Sequence, residues 1–312
     1  MPTMTPLPRT GPLDAIPGSL CLVASACLFT GMGMTVRQLV SVYHADIFWA
    51  AWIRFLIGLL VVVGPAWGGR WSLRVANRPV FVWRGIFGVA GMLSLLVVID
   101  KVGLGRATIL SNLTAVFATL MAIPLLREWP RPVVVVSVGL APAGVLLCSK
   151  AGVPAGWEWL ALLGALFGGF TWPFIRILRQ TDSNQVSFYS QCLFGLLILL
   201  PLLSSERFPV SAPVWSMILL MAAFDMVAQL FLSHGLATVP VAKGTAIMML
   251  LPILSLLAGV TLFGEILLAR QWVGCGVVLV SCVLAVSART TSPVSRKAVK
   301  PVLGLAQQSP TI

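Results

Sequence analysis

The sequence predicts an all-α integral membrane protein with ten transmembrane helices, arranged as two inverted five-helix repeats. Three observations carry that expectation. The first is composition: 312 residues, 58% hydrophobic and only 10% charged, with a mean hydropathy of +0.98. Soluble domains carry roughly 25% charged residues, and a soluble chain of this size needs that charged surface to stay dissolved. The second is a regular train of apolar runs. The third is internal self-similarity at one fixed offset.

A transmembrane helix needs about 20 mostly apolar residues, because the hydrocarbon core is roughly 30 Å thick. Runs of that kind fall near 17–38, 46–67, 80–100, 106–126, 132–149, 159–178, 185–203, 213–234, 243–263 and 270–288. Short loops with turn residues separate them, including Gly68-Gly69, Pro130 with Pro132, and Ser204-Ser205. Strands of a β-barrel would be about ten residues long and alternate in polarity, which these runs do not. A Pro-rich leader, residues 1–16, precedes the first run. That run is longer than a signal-peptide core and lacks a small-residue cleavage site after it, so it reads as a retained helix. Residues 289–312 form a basic tail with Arg296, Lys297 and Lys300.

The 21 basic residues outnumber the 9 acidic ones. Nucleic-acid binding would cluster them on one face, whereas here they stand in ones and twos between apolar runs. With both termini in the cytoplasm, 13 of them fall inside and 6 outside, and Arg54 and Arg84 lie within spans. That bias orients the chain with both ends cytoplasmic, in a cell inner membrane. The net charge is topological. Expected partners are the lipid bilayer and a small-molecule substrate, with no nucleic acid, and a homodimer stays open.

The six cysteines, Cys21, Cys27, Cys148, Cys192, Cys275 and Cys282, all sit in apolar runs without a CxxC pair. They read as small buried hydrophobes. With only His44 and His234 in the chain, no metal site and no cofactor is expected.

Placing Glu128 over Glu265 sets an offset of 137 residues. Thr108 then meets Thr245, Leu113 meets Leu250, Leu120 meets Leu257, and Gly139 meets Gly276. The repeats cover 17–149 and 159–288. Five spans per repeat is an odd number, so the second copy enters the membrane upside down. Inverted repeats are a transporter architecture, with a site between the halves near the midplane.

The second copy carries Ala242, Ala246, Pro252 and a closing Gly264-Glu265. In the first copy Ala115 stands in place of the proline and Arg127 in place of the glycine. With Arg54 and Arg84, this resembles the EamA-type proteins of the drug/metabolite transporter superfamily, over about residues 17–288. The resemblance implies transport of small solutes such as amino acids, nucleosides or cofactors, and not an enzyme.

Asp225 lies near the centre of span eight, where a carboxylate costs at least about 2.5–3.5 kcal/mol. It is the candidate proton or cation coupling site, or else a neutral Asp bonded to Gln229 one turn on. Arg54 either pairs with a substrate carboxylate or phosphate through its fork of donors, or pairs structurally with Asp225. Arg84 stands close enough to the cytoplasmic edge to snorkel to lipid phosphates, a gate role being the other reading. Ser111, Asn112 and Thr114 interrupt span four and either line a polar cavity or join helices. Trp52 and Trp172 lie deep enough to form an aromatic wall, while Trp49 fits the interfacial belt. The expected substrate-binding set is therefore Arg54, Asn112, Trp52, Trp172 and Gln229. Glu128 and Glu265, closing spans four and nine, anchor the next helix or gate it. Gly85, Gly88, Gly91, Gly164, Gly168 and Gly169 allow close helix packing.

The sequence carries no G-x-x-x-x-G-K-[ST] phosphate loop. The function expected is secondary transport of a small polar organic metabolite by alternating access, with proton coupling or exchange. A passive channel or membrane scaffold is the alternative.

Overall fold

The computed structural model describes residues 16–69, 72–111, 113–126, 132–148, 156–203, 208, 211–264 and 268–287. Asn112, Glu128 and Glu265 lie outside them. Among the described residues the regular elements are all helices, without strands. In chain order the helices are α1 (Gly18–Ser41), α2 (Ile47–Trp67), α3 (Arg78–Val102), α4 (Leu104–Ser111), α5 (Leu113–Leu126), α6 (Pro132–Cys148), α7 (Trp157–Leu178), α8 (Asn184–Leu199), α9 (Ala212–Thr238), α10 (Val241–Met248), α11 (Leu250–Phe263) and α12 (Ala269–Ser287). Among the described residues, seven segments are long and apolar enough to cross a membrane. The expected continuous span over 243–263 carries a turn at Met249, between α10 and α11. Eight residues of helix rise only about 12 Å, so α10 alone cannot cross and completes a span only together with α11.

Local chemistry explains the helix ends. The Asp46 carboxylate accepts from the Phe48 and Trp49 amides at 2.8 and 3.1 Å, starting α2. Ser183 accepts from the Val186 amide at 3.3 Å, starting α8. Asn77 does the same for α3, with Pro79 in its first turn. These are preferred N-cap residues because each satisfies an amide that lacks an intrahelical partner. Gly103 (φ 102) ends α3 and Gly264 (φ 62) ends α11, in left-handed backbone that glycine adopts without strain. Within the helices, Thr30, Ser94, Thr108, Thr119 and Thr171 return their hydroxyls to carbonyls four residues back. No hydroxyl donor among these five faces hydrocarbon unsatisfied.

The two halves repeat at the level of helix boundaries. Helices α1 and α7 end 137 residues apart, α2 and α8 begin 137 apart, and α4 and α10 begin 137 apart. The packing maps onto itself when the halves are exchanged. Helix α1 lies on α9 as α7 lies on α3; α7 also lies on α5 as α1 lies on α11. The pairs α2 with α8 and α6 with α12 bring equivalent helices together.

Glycines set how close these helices come. A Cβ on Gly91 of α3 would lie 3.0 Å from the Gly168 amide nitrogen of α7, and one on Gly164 would meet the Ser94 side chain at 2.4 Å. One on Gly169 would sit 2.3 Å from the Phe117 Cβ of α5. Backbones in van der Waals contact replace the hydrophobic drive that lipid cannot supply between helices.

Two buried polar side chains tie helices to connections. Asp182, after α7, accepts from the Ala76 and Asn77 amides at 2.7 and 3.2 Å. Arg176 at the end of α7 is buried. It donates to the carbonyls of Leu236 and Val239 and closes the C-terminus of α9.

Candidate functional site

The site is built on α2, α3, α8 and α9. Asp225 stands at the middle of the 27-residue α9, and α9 packs on α2. That places Arg54 Nη1 2.8 Å from Asp225 Oδ2, with both side chains at most 2% exposed. The guanidinium lies 4.1 Å over the Phe55 ring, and its Nη2 donates to the Met92 sulfur at 2.7 Å. The pair is therefore dry, partnered and held from α3 as well.

Arg84 stands on α3 and is 1% exposed. The snorkelling reading is corrected: its guanidinium turns inward, where Nη1 donates to Gln191 Oε1 at 2.8 Å and Nη2 to Gln229 Oε1 at 3.3 Å. Both amide oxygens being engaged, each glutamine presents its NH2 group elsewhere. Gln191 Nε2 donates to Met92 Sδ at 3.4 Å, the same sulfur that accepts from Arg54. Asp225, Arg54, Met92, Gln191, Arg84 and Gln229 thus form one connected chain, which returns to α9 one turn below its start.

Three members of this chain, Met92, Gln191 and Gln229, line a cavity of about 160 Å³ between the halves, while Arg54, Arg84 and Asp225 are not on its wall. Gln191, Gln229, Met92 and Gly88 stand on that wall. Thr108, Ser111, Thr114 and Thr171 add hydroxyls, and Phe29, Trp172, Leu232 and Pro252 add apolar surface. A larger hollow of about 830 Å³ opens at one end of the bundle. There the α1–α2 connection meets the end of α3 and the starts of α7 and α9, with Tyr43, Asp46, Asp100 and Trp157 on its wall.

The structure thus brings together Arg54, Asp225 and Gln229, and puts Trp172 on the cavity. Trp52 is not on the cavity wall; it packs edge-on to Trp49, ring centroids 5.9 Å apart, with its indole N–H buried and unpartnered. Asn112 lies outside the described residues, while its neighbours Ser111 and Thr114 line the cavity. Gln191 and Met92 escaped sequence reasoning, as did the burial of Arg84. The repeat offset carried the missing signal: Gln191 is the counterpart of Arg54, Gln229 of Met92, and Gly88 of Asp225. The chemistry sits where the two copies differ.

The sequence pattern of the EamA-like transporter family matches residues 17–150 and again 155–287. The chain belongs to the EamA-like transporter family. It is accordingly an integral, multi-pass membrane protein of the drug/metabolite transporter superfamily, whose members are transporters. A solved structure described as "Crystal structure of protein" matches 86% of this EamA-like chain and 96% of its own, with a TM-score of 0.65 and 17% identity. That likeness is one of fold. No curated protein matches the chain.

Proposed function

We propose that this EamA-like protein is a secondary transporter for a small polar organic metabolite. It works by alternating access between two inverted five-helix halves. Ten spans and cytoplasmic termini complete the reading, in a bacterial inner membrane. The observation that carries it is the cavity between halves whose packing is exchange-symmetric. Such pseudo-symmetry gives two states of similar energy, open to opposite sides, around one central site.

Asp225 is the coupling residue in this reading. Protonating it removes the charge that holds Arg54, and the α2–α9 contact loses its strongest tie. A proton or a second solute molecule then supplies the drive.

Flux into proteoliposomes tests the proposal. Uptake should saturate with solute concentration, respond to an imposed pH gradient, and lose that response in Asp225→Asn. Uptake that rises without saturation would replace the carrier with a channel. Saturable uptake indifferent to Asp225→Asn would remove Asp225 from coupling while leaving transport by exchange.

A further inference from the structure

Two guanidiniums and one carboxylate meet in the connected chain beside the cavity. Asp225 forms its ion pair with Arg54, through Oδ2 at 2.8 Å. Arg84 has only neutral amide oxygens at its Nη atoms, and its Nε is buried without a partner. Among the described residues, no carboxylate forms an ion pair with it. Guanidinium stays charged in proteins, and a buried charge is costly without a counter-charge. The wall therefore holds one cation in excess at membrane depth.

The excess stands behind the cavity wall, since Arg84 is buried and the residues that hold it line the cavity. The glutamines that hold Arg84 both stand on the wall. So does Gly88, where an added Cβ would lie 3.2 Å from Arg84 Nη1. Gly88 thus puts no side chain of its own between the cavity and the guanidinium. On the same cavity, Phe29, Trp172, Leu232 and Pro252 offer apolar surface.

We infer that the cavity takes an organic anion of single negative charge, recognised by Arg84 with Gln191 and Gln229, its hydrocarbon body lying on Trp172 and Phe29. The inference rests on the transport reading and names its substrate class. Arg54, already neutralised, is the internal pair, and Arg84 is the receptor for the ligand charge. While Asp225 is ionised, a bound monoanion brings the wall to neutrality.

Three probes of one shape and different charge test it: phenylacetate, phenylacetamide and phenethylamine. Calorimetry on the purified full-length chain reads binding, and the same protein in proteoliposomes reads flux. Phenylacetate should bind and the other two should not. Arg84→Gln should weaken phenylacetate by roughly 10- to 100-fold, the scale of charge-assisted hydrogen bonds, with Arg84→Lys retaining part of the affinity. Equal or better binding of phenylacetamide or phenethylamine to the unaltered chain overturns the inference, and needs no variant to fold. So does failure of all three, or chloride binding with phenylacetate ignored. Saturable flux of the amine or amide would leave transport standing while the charge assignment falls. Phenylacetate that binds but never crosses would do the reverse.

Discussion

Truncating Asp225 to Leu leaves the Arg54 guanidinium in place with its partner gone. What remains is the Met92 sulfur at 2.7 Å, a weak acceptor, and the Phe55 ring at 4.1 Å. Breaking a buried pair from one side costs about 3–5 kcal/mol, and the Phe55 contact, made in the parent as well, offsets none of it. A loss of about 3–5 kcal/mol is expected. The mirror change, Arg54→Leu, strands a carboxylate instead. A lone carboxylate escapes its burial by taking up a proton, which a guanidinium cannot do. Arg54→Leu should therefore cost less, about 1–2 kcal/mol. The double variant replaces both ions by apolar volume and should be nearly neutral against the parent, as apolar replacements of buried pairs often are. Reversible unfolding in mixed micelles gives the four stabilities of the cycle, with an expected coupling of about 3 kcal/mol or more. Additivity within about 0.5 kcal/mol, or Arg54→Leu proving worse than Asp225→Leu, would refute the reasoning.

Gly169→Ala should destabilise by about 1–3 kcal/mol through overpacking. Its Cβ would meet the Phe117 Cβ at 2.3 Å and the Ala118 amide at 3.0 Å, and thermal melting reads the loss. Gly139→Ala, whose Cβ meets nothing within 4 Å, is the matched control and should melt with the parent. Asp182→Ala removes two buried carboxylate–amide hydrogen bonds and should cost about 1.5–3 kcal/mol; proteolysis of the 72–77 connection should quicken with it. For orientation, single cysteines at Lys101 and Arg74 should label from opposite faces of intact cells, Lys101 from outside. Labelling of both from one face would abolish the topology, and Arg74 labelling from outside with Lys101 inside would invert it.

Membrane placement and the repeat were legible in the sequence because both are written locally. Twenty apolar residues suffice to make a span whatever they pack against, since each helix satisfies its own backbone in lipid. The offset read from Glu128 and Glu265 reappears in the helix boundaries, although both glutamates lie outside the described residues. The turn at Met249 was not legible, because the run through it is uniformly apolar and hydropathy is blind to a single non-helical residue. Close packing at Gly91, Gly164 and Gly168 followed from residue type, since only a missing side chain admits a neighbouring backbone.

The site divides along the same line. Asp225 and Arg54 stood out by themselves, because an ionisable group at membrane depth is expensive wherever it points. Which partner each takes is a long-range matter. Arg84 meets Gln191 across 107 residues and Gln229 across 145, distances over which no periodicity speaks. Edge distance suggested that Arg84 would reach for lipid, but Arg84 lies on the buried side of α3, while Val82 and Trp83 take the exposed side. The sequence by itself determined that a few charges lie within the membrane. Only the tertiary structure decided that one of them is paired with a carboxylate and another is held by neutral amides, because charge balance is a property of neighbours in space.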